Sequence, residues 1–473
     1  MLKEIKLKNF KLHRDTKLNF GKITLFIGPN NSGKSSAIHA MQVIRKYLGE
    51  SNIPHKSNES GHMLNRFIDI ENFDDIVNFR ENRAEIGIKG RIDIDFTPTE
   101  KEFLKKNPII DPKSLEVEGV YSFEEYKYTG KIVDISSLEK IGIRIRGCTK
   151  KRGSKDEYEI SMNKLGGKGR CYQFTSENNY KIAFIYHPNR KIDLSFESVS
   201  DSNGGGIGKK IRHSGGSHTK PSENEYRIIS SIFEKIISSL ERLIESFHFV
   251  YPIRGLEWQS YDTEPNKTSA NLNLDNISID KRAKGIANTF IYDRLLEDEI
   301  YEKIKGVVDV RFFAELSTGN KVKLLSKISK RENIPFLFEG LGSHQMLFML
   351  LPIALANSNE TIFIEEPETH LHPKAQYALS KLFAEIAGKQ EKQLVMTTHS
   401  EHIVFGFLNM VAKEQLKKDD LKIYYFENKN GIAKVKELKV NEFGQVDGGL
   451  PGFFEAEVEG LLEFLGEPEE KGK

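Results

Sequence analysis

The stretch ITLFIGPNNSGKSSAIHAM, Ile23 to Met41, decides the fold. An apolar run, Ile23 to Ile27, reads as a strand; a turn rich in Gly and Asn follows, and then apolar residues at helical spacing. Within it, GPNNSGKS (Gly28–Ser35) fits the phosphate-loop pattern G-x-x-x-x-G-K-S/T. Each position answers a chemical need. Glycines let backbone N–H groups close around phosphates, and a helix N-terminus adds partial positive charge. Lys34 is expected to reach the outer phosphates and the Ser35 hydroxyl to ligate Mg²⁺, while Gly28, Pro29, Asn30, Asn31, Ser32, Gly33 and Ser36 complete the candidate phosphate contacts. The bare pattern arises by chance in roughly one or two chains per hundred of this length. The strand before it and the helix after it make an ordinary glycine turn the poorer reading.

A phosphate loop needs a metal-binding acid at the end of a neighbouring strand. TIFIEEPETHLHP, Thr361 to Pro373, supplies one. Adjacent carboxylates after an apolar run are costly unless compensated. A Mg²⁺·nucleotide would compensate them, with Glu365 on the metal and Glu366 polarising the attacking water. The competing reading is a solvated acidic strand end. LVMTTHS (Leu394–Ser400) is a second apolar strand, ending where His399 can sense a γ-phosphate. EGLGSHQ (Glu339–Gln345) is a glycine-containing turn before an apolar helix, with N–H groups available to a phosphate from outside.

These pieces, with LKNFKLHRDT near the N-terminus and VYPIRG at Val250–Gly255, stand in the order found in a known family. Together they resemble the ABC-type ATPases of the AAA group, in the branch shared by SMC-like (RecF-like) repair ATPases and the OLD (overcoming lysogenisation defect) proteins. The resemblance implies ATP and Mg²⁺ as ligands and a head-to-tail homodimer around two nucleotides. It makes Glu366 the catalytic glutamate and His399 the switch histidine. It places Gly342 and Ser343 on the γ-phosphate held by the partner, with Gln345 matching the last residue of that nucleotide-binding signature, although Leu341–Gln345 reads L-G-S-H-Q where the family carries L-S-G-G-Q. Lys11 and His13 match positions where related N-termini contact the nucleotide. The family's Q-loop glutamine has no clear counterpart; the region of IENFDDIVNF (Ile70–Phe79) is its candidate place. OLD nucleases carry a TOPRIM nuclease domain after the histidine motif. The segment after His399 holds no D-x-D and is short for an added domain of typical size, so a nuclease activity of this chain's own is not expected.

The fold expected is α/β: an ABC-type phosphate-loop head assembled from both ends of the chain, interrupted by a β-rich insertion and a helical segment. The expected division is 1–98 for the N-terminal part of the head, 99–244 for the insertion and 245–473 for the rest. Residues 199–222, rich in Gly, Ser and His, read as a mobile loop. An amphipathic helix near Glu455–Leu465 reads as docked on the core, with partner binding as the minority alternative.

The net charge of +2 is too small to imply nucleic-acid binding by the whole chain, so a basic footprint has to be local. The candidate is Lys140–Arg170, which reads either as solvated hairpins or as a surface for an anionic partner. Cys148 and Cys171 have no metal or redox spacing, which fits a reduced, cytoplasmic protein. The longest apolar run, Met346–Ala356, is well short of the roughly 18–20 residues that span a bilayer. His370, His372, His399 and His402 could suggest zinc, but the family reading already employs His399 and leaves the others to backbone bonds or subunit contacts. The expectation is therefore an ATP-driven switch controlling a separate effector protein, a nuclease or a toxin, in prokaryotic anti-phage defence. The rivals are a DNA-binding repair or chromosome-maintenance ATPase and a scaffold that binds ATP without hydrolysing it.

Overall fold

The computed structural model describes residues 1–51, 77–78, 83–91, 94–106, 116–124, 140–148, 155–163, 170–176, 181–186, 223–251, 256, 258–265, 279–327 and 333–450. The expected mobile loop at 199–222, most of the Q-loop candidate region, the end of VYPIRG and the helix near Glu455–Leu465 lie outside these residues, as do the side chains of the basic stretch Lys140–Arg170.

The strands in chain order are β1 (Leu2–Phe10), β2 (His13–Asn19), β3 (Ile23–Ile27), β4 (Arg83–Arg91), β5 (Glu116–Glu124), β6 (Lys140–Cys148), β7 (Lys155–Asn163), β8 (Arg170–Ser176), β9 (Lys181–Tyr186), β10 (Phe247–Val250), β11 (Ser260–Asp262), β12 (Arg311–Ser317), β13 (Lys321–Lys327), β14 (Ile334–Pro335), β15 (Thr361–Glu365), β16 (Gln393–Thr397), β17 (Leu421–Lys429) and β18 (Ile432–Leu438). The helices are α1 (Lys34–Ser51), α2 (Pro98–Lys106), α3 (Glu223–Glu245), α4 (Ile279–Tyr292), α5 (Arg294–Ile304), α6 (Leu341–Leu355), α7 (Pro373–Lys389) and α8 (Glu401–Ala412). They fall into two compact units, one of Met1–Asn19, Ser36–His62 and Ile68–Phe247, the other of Phe20–Ser35, Met63–Phe67 and His248–Lys473.

The first unit is built on an eight-stranded sheet in the order β2-β1-β4-β5-β6-β7-β8-β9, antiparallel at every pairing. The first two strands of the chain therefore share a sheet with strands from residues 116–186. Helix α2 opens with a reciprocal capping pair: Thr97 N–H donates to Glu100 Oε2, and Glu100 N–H donates to Thr97 Oγ1. The same carboxylate accepts from Ser231 Oγ at 2.6 Å and Lys235 Nζ at 2.7 Å, fastening α2 to α3.

The second unit carries the six-stranded sheet β10-β15-β16-β3-β17-β18. β15, β16, β3 and β17 are parallel neighbours, so Ile23–Ile27 is flanked by strands from the far end of the chain. The α/β head is thus assembled from both ends. Every residue of β3 and β16 is buried, as expected for inner parallel strands covered on both faces. β18 ends the order, with Lys434 and Lys436 exposed; charged side chains of this kind discourage further strand pairing.

Helix α6 is apolar on all sides and buried from His344 to Leu351. Its C-terminal carbonyls, at Ile353 and Ala354, accept hydrogen bonds from the buried Lys392 ammonium. The small sheet β11-β13-β12, with β14 paired to β13, packs with α4 and α5. The helical stretch Ile279–Ile304 is two helices. Asp293 separates them, and its carboxylate caps α5 by accepting from Leu296 N–H.

Candidate active site

The phosphate loop joins β3 to α1 and is anchored by its neighbours. A Cβ on Gly28 would lie 2.1 Å from Phe426 O of β17, and the residue has φ +132°, so the strand-to-loop turn admits only glycine. Asn31, itself at φ +57°, has its carbonyl held by Asn428 Nδ2 at 2.9 Å. Pro29, Asn30 and Asn31 are exposed; Gly28, Ser32, Gly33 and Lys34 are buried; Ser35 and Ser36 are half-buried. The Lys34 ammonium donates to Gly28 O at 2.8 Å and Pro29 O at 2.7 Å. Burial lowers its pKa to about 8, while the carboxylates of Glu366 and Glu368 work in the opposite direction.

Those carboxylates come from the end of β15. Glu365 is the last residue of the strand, paired with Thr397 of β16, and is half-buried. Glu366 leaves the strand with φ +46°, a left-handed conformation that is uncommon outside glycine. Its N–H donates to Thr397 O at 3.1 Å and to Thr397 Oγ1 at 3.2 Å, which holds it there. Tight turns follow: Thr369 Oγ1 donates back to Glu366 O at 2.8 Å, and Leu371 N–H to Glu368 O at 3.0 Å. His372 then caps α7 by accepting from Lys374 N–H through Nδ1. Among the described residues, no group of three or more His, Cys, Asp or Glu is arranged to hold a metal on protein ligands alone.

His399 follows β16 and is exposed. Partial desolvation lowers its pKa; the Lys34 charge adds to this and the Glu366 charge opposes it. Lys34, Glu366 and His399, drawn from three separate segments of the sequence, therefore act on one another electrostatically at the C-terminal ends of β3, β15 and β16. Ligands collect at this edge of a parallel α/β sheet. Two groups at this edge escaped the sequence reading. Glu368 accepts the His399 N–H at 2.6 Å. Gln376 accepts from Ser400 Oγ at 2.6 Å and donates to Leu371 O at 2.8 Å. The signal for Glu368 was the third carboxylate of E-E-P-E. Gln376 gave none, because it looks like any polar helix residue.

Gly342 and Ser343 lie in the first turn of α6 rather than in a turn ahead of it, and Gln345 follows in the same helix. A Cβ on Gly342 would lie 2.7 Å from His370 O, so the signature helix and the E-E-P-E-T-H turn approach backbone to backbone. Gly342 and Ser343 are half-buried and Gln345 is fully buried. His344 points inward, its Nε2 2.7 Å from Phe336 O and its ring against the Phe336 ring. Lys11 and His13 belong to the other unit. Lys11, at φ +47°, has its Nζ 3.3 Å from His39 Nδ1. Burial, with the Lys11 charge, holds His39 down to about 4, so that imidazole is neutral at physiological pH. His13 is fully buried, with Nδ1 3.1 Å from Thr16 Oγ1.

The residues fit a magnesium nucleotide. The Ser32 Oγ within the loop is buried and has no hydrogen-bond partner among the described residues, an arrangement that suits a polar ligand. Lys34 offers a cation, and the α1 N-terminus offers N–H groups that no helical carbonyl can satisfy. Ser35 and Glu365 offer the hard oxygen donors that Mg²⁺ prefers.

A family profile described as an AAA ATPase domain (AAA_15) matches residues 1–404. The chain belongs to this AAA ATPase domain family. Among curated relatives, this AAA ATPase is 34% identical over 83 residues to an OLD nuclease from Thermus scotoductus, a match covering 16% of this chain and 15% of the nuclease. It is 55% identical over 42 residues to a DNA double-strand break repair Rad50 ATPase from Methanococcus maripaludis, covering 9% of this chain and 4% of the relative. The matched stretches are a small part of either relative's length. Among solved structures it is similar to an SMC head bound to the C-winged helix domain of ScpA, at 12% identity and TM-score 0.43 over 93% of this chain and 98% of that one. It is also similar to an SMC head domain from Thermotoga maritima, at 10% identity and TM-score 0.35 over 93% and 99%.

Proposed function

We propose that this AAA ATPase binds and hydrolyses ATP with Mg²⁺, and that the nucleotide controls assembly of two copies of the chain. The meeting of the phosphate loop, Glu366 and His399 at the C-terminal ends of the parallel neighbours β3, β15 and β16 is the observation that carries this reading. Bound Mg²⁺ would neutralise phosphate charge and help activate the γ-phosphoryl group. Gly28 to Ser36 would cradle the phosphates through backbone N–H groups and the α1 N-terminus, with Ser35 and Glu365 holding the metal. Glu366 would accept a proton from the attacking water, and its left-handed backbone, tied to Thr397, keeps that carboxylate in one place. His399, exposed and biased toward its neutral form, would present an imidazole to the γ-phosphate. Gly342 and Ser343 would receive the partner's nucleotide, while Gln345, buried behind them, would support the turn. Lys11 is proposed as a further nucleotide contact, and His13, fully buried against Thr16, as a brace for the β1–β2 turn that carries Lys11.

Single-turnover hydrolysis of radiolabelled ATP, with and without Mg²⁺, tests this reading. Mg²⁺-dependent release of phosphate supports it. Tight nucleotide binding without release would identify an assembly scaffold instead.

Two settings are open to such an ATPase, and the short matches to relatives favour neither. In one, the chain switches a separate effector, a nuclease or toxin, in anti-phage defence, the setting implied by the resemblance of its motifs to the OLD proteins. In the other it acts on DNA in repair or chromosome maintenance, as its likeness to the Rad50 ATPase suggests. DNA binding that weakens steeply with salt and on neutralising Lys150, Lys151 and Arg152 would select the second.

A further inference from the structure

Glu368, the third carboxylate of E-E-P-E, has no part in the reading above, yet its surroundings are unusually specific. Its Oε1 accepts the backbone N–H of His399 at 2.6 Å. Beside it, Thr398 Oγ1 accepts Ser400 N–H at 3.0 Å. The other oxygen, Oε2, is buried and has no hydrogen-bond partner among the described residues. Burial raises the pKa of this carboxyl and the Glu366 charge adds to that; the hydrogen bond from the His399 N–H works the other way. A surface acid placed for solubility would have none of these features. The turn after β15 is thus tied to the end of β16 at two points. One is the Glu366 N–H on Thr397. The other is the Glu368 side chain on the residues that carry the imidazole.

We infer that Glu368 is a positioning residue for hydrolysis: by accepting the His399 N–H it fixes the turn bearing the imidazole against the turn bearing Glu366, so that both side chains meet the nucleotide in one arrangement. The inference rests on the ATPase reading. Glu368 touches neither phosphate nor water in this scheme; it acts through the backbone of His399. What it supplies is an acceptor of the right reach, and charge is secondary.

Three variants test this by kcat, nucleotide Kd and thermal midpoint. Glu368→Gln keeps the carbonyl acceptor at the same length and is expected within about threefold of wild-type kcat. Glu368→Ala removes the acceptor, and displacement of about an ångström at a reacting centre can cost about 100-fold; kcat is expected to fall by about that factor, with Kd changed less than about threefold. Glu368→Asp shortens the reach by one methylene and is expected to lie between them; it carries the test if the alanine variant does not fold. Wild-type kcat in Glu368→Ala or Glu368→Asp overturns the inference. So does a Glu368→Gln variant as slow as alanine, which would mean that charge is what matters, and so does loss of kcat, Kd and thermal midpoint together, which would mean a structural role only. A wild-type chain that hydrolyses no ATP overturns the ATPase reading itself, and that outcome is distinguishable because it appears before any Glu368 variant is compared.

Discussion

Glu366 shows how this site spends stability on placement. A non-glycine residue at φ +46° is uncommon, and a left-handed conformation costs roughly 1–2 kcal/mol. Such strain persists where surrounding bonds over-determine it, here the two from its N–H to Thr397. Glu366→Gln preserves the backbone and volume while removing the proton acceptor. It is expected to bind ATP with unchanged affinity and to lose about 10²–10⁴-fold in kcat, the usual worth of a general base; equilibrium binding beside steady-state turnover checks both halves. Lys34 makes a second prediction. Its pKa is held near 8 in the free protein, and phosphates will raise it. Between the free and bound values the complex holds more protons than the free site, so affinity should fall as pH rises above about 8, by up to about tenfold per unit. Titrations with a non-hydrolysable ATP analogue from pH 7 to 9.5 should show this trend, and the Lys34→Ala variant should lack it. Lys34 and the glutamate pair were legible in the sequence because residue type and spacing define them. The left-handed turn and Glu368's bond to a main-chain N–H were not, since neither leaves a pattern in side-chain chemistry.

Among the elements, α6 and the turn after β15 meet backbone to backbone, which in the proposed scheme links the signature to the carboxylates that follow β15. Gly342 sits against His370 O with no room for a methyl group. Gly342→Ala should push the two backbones apart and destabilise the unit by about 1–3 kcal/mol, the usual range for forced overpacking; urea unfolding of the variant and the wild type measures it. ATP-driven association should weaken as well, because the same shift moves Ser343. In the second unit the continuous apolar runs of β3, β15 and β16 marked the strands, and Pro373 at the first position of α7 with His372 as its cap suits a helix start. The division of α4 from α5 is not legible in the sequence pattern, because apolar periodicity continues on both sides of Asp293. Only its bond to Leu296 N–H marks the break.

For the whole molecule, alternation of strands and helices at both ends of the sequence sufficed to anticipate a head closed by distant segments, and β3 between β16 and β17 is that closure. The eight-stranded antiparallel sheet could not be read in the same way. Period-2 patterning identifies a strand but not its neighbour, so nothing in the text of β1 and β2 announced a sheet shared with residues 116–186. If nucleotide drives pairing of two copies, Glu366→Gln with ATP and Mg²⁺ should double its mass by light scattering, while without nucleotide it should match the wild type. The account stands most directly on one measurement, the Mg²⁺-dependent ATPase rate of purified wild-type chain against Lys34→Ala. It requires multiple-turnover phosphate release by the wild type that vanishes in Lys34→Ala. Equal rates in the two proteins, or no release by the folded wild type at saturating ATP and Mg²⁺, would contradict it.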